Sequence, residues 1–261
     1  MKKIVGFISI TIFLVLVIFL FSMRFLNLMP NEAKHNLFLQ MPLELQVIKD
    51  LQNRLDPIVN KIVEDEMKIP RDKNLPIFFF KKRQAITVYY LYDMNVVGES
   101  VLFSELDFLQ TIISAPKNVI IKPQVNFFGD VQAPLIDLVV FVDDPNKELL
   151  SLNEQFKKMV ALVNVQYKSL YKIDLYNVAK SECFEFKPHL SLGHLRVEEI
   201  KKLIKYPAQA EVVIDRIKSR ILEVVSKALS ELTLKNRKVQ FNTLAVYDQQ
   251  KRVYIKEYKF L

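Results

Sequence analysis

The chemically telling stretch of this sequence is Pro188-His189-Leu190-Ser191-Leu192-Gly193-His194. In a strand the side chains alternate, so His189 and Ser191 share one face while Leu190 and Leu192 share the other. An imidazole exchanges protons near neutral pH, and a serine hydroxyl donates to an anionic oxygen. A strand with an apolar underside and that pair on top is suited to floor a groove for an anion. The same pattern would also arise in a half-exposed strand whose polar face merely meets water. By alternation His194 lies opposite His189, and only a bulge at Gly193 would bring it round.

Composition narrows the chemistry further. The 261 residues include four glycines (Gly6, Gly98, Gly129, Gly193), three histidines (His35, His189, His194) and one cysteine, Cys183. No two glycines lie close enough for a dinucleotide fingerprint, a P-loop or a nucleophile elbow, which excludes nucleotide binding through a glycine-rich loop. One cysteine cannot close an intramolecular disulfide or build a thiolate-rich metal site. A metal held by His189 and His194 would need extra carboxylates and a changed strand geometry, so neither metal nor cofactor is expected. His35, beside a short linker over 24–35, reads as a surface residue. The net charge of +8 falls to +5 once Lys2, Lys3 and Arg24 are set aside. That surplus suits a phosphate-bearing ligand or an anionic surface and falls short of a nucleic-acid footprint.

The elements that would position these residues are set by hydrophobic periodicity. Asn36 to Met41 reads as a strand that Pro42 stops, with Pro42 also opening a helix marked by Leu43, Leu45, Val47, Ile48, Leu51, Leu55, Ile58, Val59 and Ile62. Ile77 to Leu91, rich in aromatic and β-branched residues, reads as one or two strands. A second unit repeats that order. Leu135 to Val142 is a strand, Asp143-Asp144-Pro145 caps a helix through Leu149, Phe156 and Val163, and Cys183 to Leu192 is the closing strand. The interval from Pro42 to Thr87, 45 positions, matches that from Pro145 to Ser191, 46 positions. Two pseudo-symmetric lobes with a groove between them are therefore expected. Val119 to Phe128 supplies a further strand, Gln209 to Leu234 a long amphipathic helix, and Val239 to Phe260 a hairpin turning at Asp248 to Lys251. The class is α+β with mainly antiparallel sheets.

The His189-to-Leu192 run, preceded by Pro188, resembles the second motif of the two-histidine (2H) phosphoesterase superfamily, which includes 2'-5' RNA ligase-like proteins. That motif is His-x-Thr/Ser followed by an apolar residue, once per lobe. Leu37 to Glu44 is similar to the family's opening strand and helix start, and the likeness covers roughly residues 36 to 261. It implies a bilobal fold with two motifs facing across a cleft. One histidine would activate the attacking water or hydroxyl, the other would protonate the leaving oxygen, and the two hydroxyls would hold the phosphate. The first motif departs from this pattern. Its stretch, Gln84-Ala85-Ile86-Thr87-Val88-Tyr89-Tyr90, keeps a hydroxyl at Thr87 but has Ala85 where the histidine belongs. General acid or base assistance is worth about 10² to 10⁴-fold each, and Ala85 supplies neither.

The resemblance thus implies His189 as catalytic residue, with Thr87 and Ser191 on the ligand. Tyr89, read by alternation onto the face of Ala85 and Thr87, and Lys82, from Lys81-Lys82-Arg83 at the cleft mouth, complete the expected ligand-binding set. Those three basic residues also read as a solvated turn, and Phe78-Phe79-Phe80 reads as sheet core rather than a stacking platform. The expected function is binding of a nucleotide or RNA end with impaired catalysis. Two alternatives are an active phosphodiesterase on cyclic phosphates or 2'-5' linkages that uses His189 alone, and a non-catalytic envelope interaction domain.

Ahead of the domain, residues 4 to 23 carry no charge and are long enough for a roughly 30 Å hydrocarbon core. Met1-Lys2-Lys3 precedes them, and Ser22-Met23-Arg24-Phe25 offers no small-residue cleavage site. The expectation is an uncleaved signal anchor over 1–23, a linker over 24–35 and the domain over 36–261. The lipid bilayer would be a partner, and the charge bias points to a single-pass protein with its domain on the non-cytoplasmic side.

Overall fold

A computed structural model describes residues 34–260 except 44, 69–75, 110–113, 117, 130–131, 173, 183–184, 205 and 234–236. From His35 onward the described residues belong to one compact unit. The expected anchor and nearly all of the expected linker lie outside the described residues. Among the described residues, no helix is long and apolar enough to cross a membrane. The single-pass membrane placement is corrected accordingly, and no lipid partner or membrane side is assigned.

The described chain builds one nine-stranded sheet in which every pairing is antiparallel. In chain order the elements are β1 (His35–Leu43), α1 (Gln46–Met67), β2 (Phe78–Phe80), β3 (Gln84–Met94), α2 (Val96–Leu109), β4 (Val119–Phe128) and β5 (Ile136–Asp143). Next come α3 (Glu148–Tyr171), α4 (Val178–Glu182), β6 (His189–Leu195), α5 (Val197–Leu203), α6 (Pro207–Ser230), β7 (Lys238–Val239), β8 (Thr243–Asp248) and β9 (Val253–Lys259). The strand order is β7-β4-β5-β6-β3-β1-β8-β9, with β2 paired to β6. The repeat expected from the spacing sits at the centre. β1-α1-β3 supplies one half and β5-α3-β6 the other, and the halves join where β3 meets β6 through Ile86 and Leu190.

Each element obeys its side-chain pattern. In β1, Leu37, Leu39, Met41 and Leu43 are buried while Phe38, Gln40 and Pro42 face the other side. Pro42 does not end the strand as expected. The pairing of β1 with β8 covers only Leu37 to Gln40, so the missing N–H of Pro42 costs no ladder bond on that side. Along α1, Ile48, Leu51, Leu55, Val59 and Ile62 bury one stripe, and along α6 Ile214, Ile217, Ile221 and Val225 do the same. Both helices pack into a single core with the apolar underside of the sheet. The expected cap of the second unit is present. The Asp144 carboxylate accepts the N–H groups of Glu148, Leu149 and Leu150 at 2.8, 2.8 and 3.2 Å. The strand expected from Cys183 begins at His189 instead, after the short helix α4, and α2 is a helix that the periodicity did not announce.

Two bulges decide which side chains reach the upper face of the sheet. In β3 the register moves from Leu39 opposite Tyr89 to Gln40 opposite Thr87, leaving Val88 as the extra residue. Asn153 of α3 donates to the Val88 carbonyl at 2.5 Å, satisfying it from below. In β6 the register moves from Ser191 opposite Val139 to Gly193 opposite Leu138. There β2 lies against β6, with Phe80 opposite Gly193. A Cβ on Gly193 would stand 2.7 Å from the Phe78 ring and 2.8 Å from the Phe79 carbonyl oxygen, so the site accepts only glycine without movement. Gly193→Ala should therefore lower stability by about 1–3 kcal/mol, the usual cost of overpacking. A thermal melt of the variant alongside wild type measures this, and an unchanged midpoint would contradict the close approach of β2.

Candidate functional site

The seam between β3 and β6 carries the residues singled out in the sequence. Ile86 and Leu190, both fully buried, pair across it. In that antiparallel register Thr87 lies across from His189 and Ala85 across from Ser191, all on the upper face. The structure thus brings His189, Ser191 and Thr87 together. It also leaves a methyl group where the pseudo-symmetric partner of His189 would stand.

His189 is anchored by its own chain. Its Nδ1 lies 2.6 Å from the carbonyl oxygen of Lys187, so Nδ1 carries the proton and Nε2 presents a lone pair. Phe128 meets the ring edge-on at 4.8 Å and in turn packs against Phe141, the cross-strand neighbour of His189. Burial lowers the pKa of His189 from 6.5 and Lys81 adds to that, against the opposing pull of the Lys187 carbonyl and Asp137. A neutral imidazole with a free Nε2 is a competent base at neutral pH. Thr87 is held as well. Gln40 donates to its hydroxyl at 3.1 Å, and the Tyr90 phenol is hydrogen-bonded to it.

Two expected ligand residues fall elsewhere. Tyr89 is buried with its hydroxyl beside that of Tyr176, because the bulge at Val88 turns it under the sheet. Tyr90 takes its place on the upper face, with burial pushing its phenol up to about 12. Lys82 is exposed on the corner between β2 and β3, and it is Lys81 that turns inward. His35 is not a surface residue either. It lies at the far end of β1, half-buried, 3.4 Å from the buried Asp248.

The bulge at Gly193 does bring His194 round. Its Nδ1 lies 2.5 Å from Oδ1 of Asp137 on β5, its cross-strand partner. Lys81 Nζ approaches the other carboxylate oxygen of Asp137 at 3.9 Å. Burial alone would raise the Asp137 pKa, but the hydrogen bond from His194 and the charges of Lys81, His194 and His189 outweigh it, leaving the carboxyl below its ordinary range. Phe79 packs between the His194 ring, at 5.0 Å, and the Arg196 guanidinium, at 5.2 Å. Phe78, by contrast, is core, as expected of that run.

Buried amides hold this corner in place. Gln84, facing down as its position predicts, donates to Gln52 Oε1 at 2.8 Å and to the Lys81 carbonyl at 3.1 Å. Gln52 of α1 donates to the Leu192 carbonyl at 3.0 Å and to the Lys81 carbonyl at 3.3 Å. The Lys81 N–H donates to the same Leu192 carbonyl at 2.8 Å. Sequence reasoning did not single out Lys81, Asp137 or Tyr90. The one visible signal was Asp137, a carboxylate placed just before the apolar run Leu138 to Val142 of β5. Among the described residues, no group of three or more His, Cys, Asp and Glu side chains could hold a metal ion.

An antiparallel sheet with strand-helix-strand repeats meeting at its centre, and a His-x-Ser strand beside an x-Thr strand at the join, is the arrangement that the resemblance to the two-histidine phosphoesterases implied. Among solved structures the chain is similar to Usb1 of Kluyveromyces marxianus, at 13% identity and a TM-score of 0.54, over 87% of this chain and 99% of that one. It is also similar to the same protein solved with uridine monophosphate, at 13% identity and a TM-score of 0.51 over the same shares. At that identity the likeness establishes the fold. No family model matches the chain, and no curated protein sequence does.

The state of His189 can be measured directly. In an NMR titration of the imidazole carbon-bound protons, the His189 midpoint should lie below 6.5. The unfolded ring protonates near 6.5 and the native ring only below it, so this residue costs no stability above 6.5. As pH falls below that value, stability should decline. A midpoint above 6.5 would show that burial does not dominate its environment.

Proposed function

We propose that the upper face of the β3–β6 seam binds the phosphate of a nucleotide or of an RNA end, and that hydrolysis of a cyclic phosphate there is impaired. The observation that carries this reading is the placement of Thr87, His189 and Ser191 on one face of two adjacent central strands, in a fold of this superfamily. Two hydroxyls can donate to phosphate oxygens from either strand. Nε2 of His189 can take the proton of an attacking water. The structure of Usb1 with uridine monophosphate supports a nucleotide as ligand class.

Impairment stems from Ala85. In-line displacement at phosphorus needs a proton taken on one side and a proton given on the other. With no imidazole at position 85, the leaving oxygen is left to a weaker acid or to water, at a cost of up to about 10² to 10⁴-fold.

Two variants of the full chain test this. At a pH of about 5, where the phosphate is a monoanion whose P–O–H can donate to Nε2, His189→Ala should weaken binding of uridine monophosphate by about tenfold, consistent with loss of one hydrogen bond in a partly buried site, as read by calorimetric titration. Ala85→His should raise hydrolysis of 2',3'-cyclic uridine monophosphate by about 10²-fold or more. Unchanged binding in a folded His189→Ala protein would remove His189 from the site. Failure of a folded Ala85→His protein to gain activity would leave binding without chemistry.

A further inference from the structure

We propose that Lys81 takes over the part left vacant at Ala85, contacting the phosphate and protonating the leaving oxygen opposite His189. This rests on the phosphate reading of the cleft and names the residue that completes it.

The placement of Lys81 carries the assignment. Lys81 lies just after β2 at the corner leading into β3, and its backbone is fixed there by three partners: the Leu192 carbonyl, Gln52 and Gln84. Its side chain ends at Asp137, which belongs to β5. In the sheet, β6 separates β5 from β2 and β3. A chain that starts on one side of β6 and ends on the other must cross the upper face of β6. The crossing falls between Ser191 and His194, and Ser191 is the residue across the seam from Ala85. The ammonium group thereby lies on the upper face, beyond Ser191 as seen from Ala85, where its charge acts on His189.

The rest of the cluster distinguishes Lys81 from His194, which shares its carboxylate. His194 is tied to Asp137 at 2.5 Å and packed at a tilt against Phe79, whereas Lys81 approaches the same carboxylate at 3.9 Å. Asp137 is therefore largely engaged by His194, and the Lys81 ammonium keeps donors for a ligand. The field of Lys81 reaches His189, as does that of Asp137. Burial lowers the Lys81 pKa from 10.5 against the pull of Asp137, which makes its proton easier to give up.

The step balances as a hydrolysis. A water oxygen bonds to the phosphorus of a 2',3'-cyclic phosphate while its proton passes to Nε2 of His189. The bond from phosphorus to one ribose oxygen breaks, and that oxygen takes a proton from Lys81 Nζ. Solvent then returns a proton from His189 to Lys81, so the net change is the addition of one water to give a phosphomonoester.

The test uses the full chain with 2',3'-cyclic uridine monophosphate as substrate and uridine monophosphate as ligand. Lys81→Met should lose about 10²-fold in kcat and about tenfold in affinity. Adding Ala85→His to Lys81→Met should restore turnover. Lys81→Arg should hold affinity within a few-fold yet lose kcat, because a guanidinium keeps its charge but does not release a proton in this pH range. A lysine that served only to support the fold would not separate affinity from turnover in that way. Wild-type turnover in a folded Lys81→Met protein would overturn the proposal, as would tight binding by wild type with no hydrolysis. If neither wild type nor Ala85→His binds the nucleotide, the phosphate reading itself fails, and the role of Lys81 fails with it.

Discussion

Everything at the centre of this molecule depends on how β6 is shared. Its lower face is part of the apolar core, through Leu190, Leu192 and Leu195, and that face fixes the register. Its upper face must then present His189 and Ser191. Along its length β6 changes partner, pairing with β3 at Leu190 and with β2 from Gly193 to Leu195. The change is possible only because Gly193 has no side chain to hold β2 away. A single glycine thus lets the chain between β2 and β3 fold against β6, and that corner delivers Lys81 to the upper face.

Charge in the cleft is organised around Asp137 rather than around the histidine of the recognised motif. The carboxylate receives His194 on one oxygen and Lys81 near the other. It also acts on His189 in the sense opposite to burial. One negative group therefore sets the orientation of one ring and the reach of one ammonium. A half-buried carboxylate so engaged does not present free negative charge to a phosphate, so the face as a whole remains suited to an anion.

The broad architecture was legible in the sequence because it is written in periodicity. Short apolar runs marked β1, β4 and β5, alternation marked the closing hairpin, three- and four-residue spacing marked α1, α3 and α6, and equal intervals marked the repeat about the centre. The site was legible only where alternation held. It held for His189, Ser191, Thr87 and Gln84. It failed at Tyr89 and at His194, each of which lies just beyond a bulge that inverts the face of the residues after it, and a bulge leaves little trace in a pattern of period two. Lys81 was hidden for a different reason. Among three consecutive basic residues at a corner, only the hydrogen bonds of the backbone decide which one turns inward. Asp137 and His194 are 57 positions apart, and no spacing rule connects them.

The two buried glutamines give the site a property that its charged groups cannot. Gln52 and Gln84 fix the carbonyls of Lys81 and Leu192 with neutral amides, which neither gain nor lose a proton in water at any ordinary acidity. The groups above them, His189 and Lys81, do exchange protons, and burial holds each below its ordinary pKa. Scaffold and chemistry are thereby decoupled. The cleft can be discharged or recharged from above while the frame beneath it keeps its shape, so a change in acidity alters what the site does without altering where its parts are.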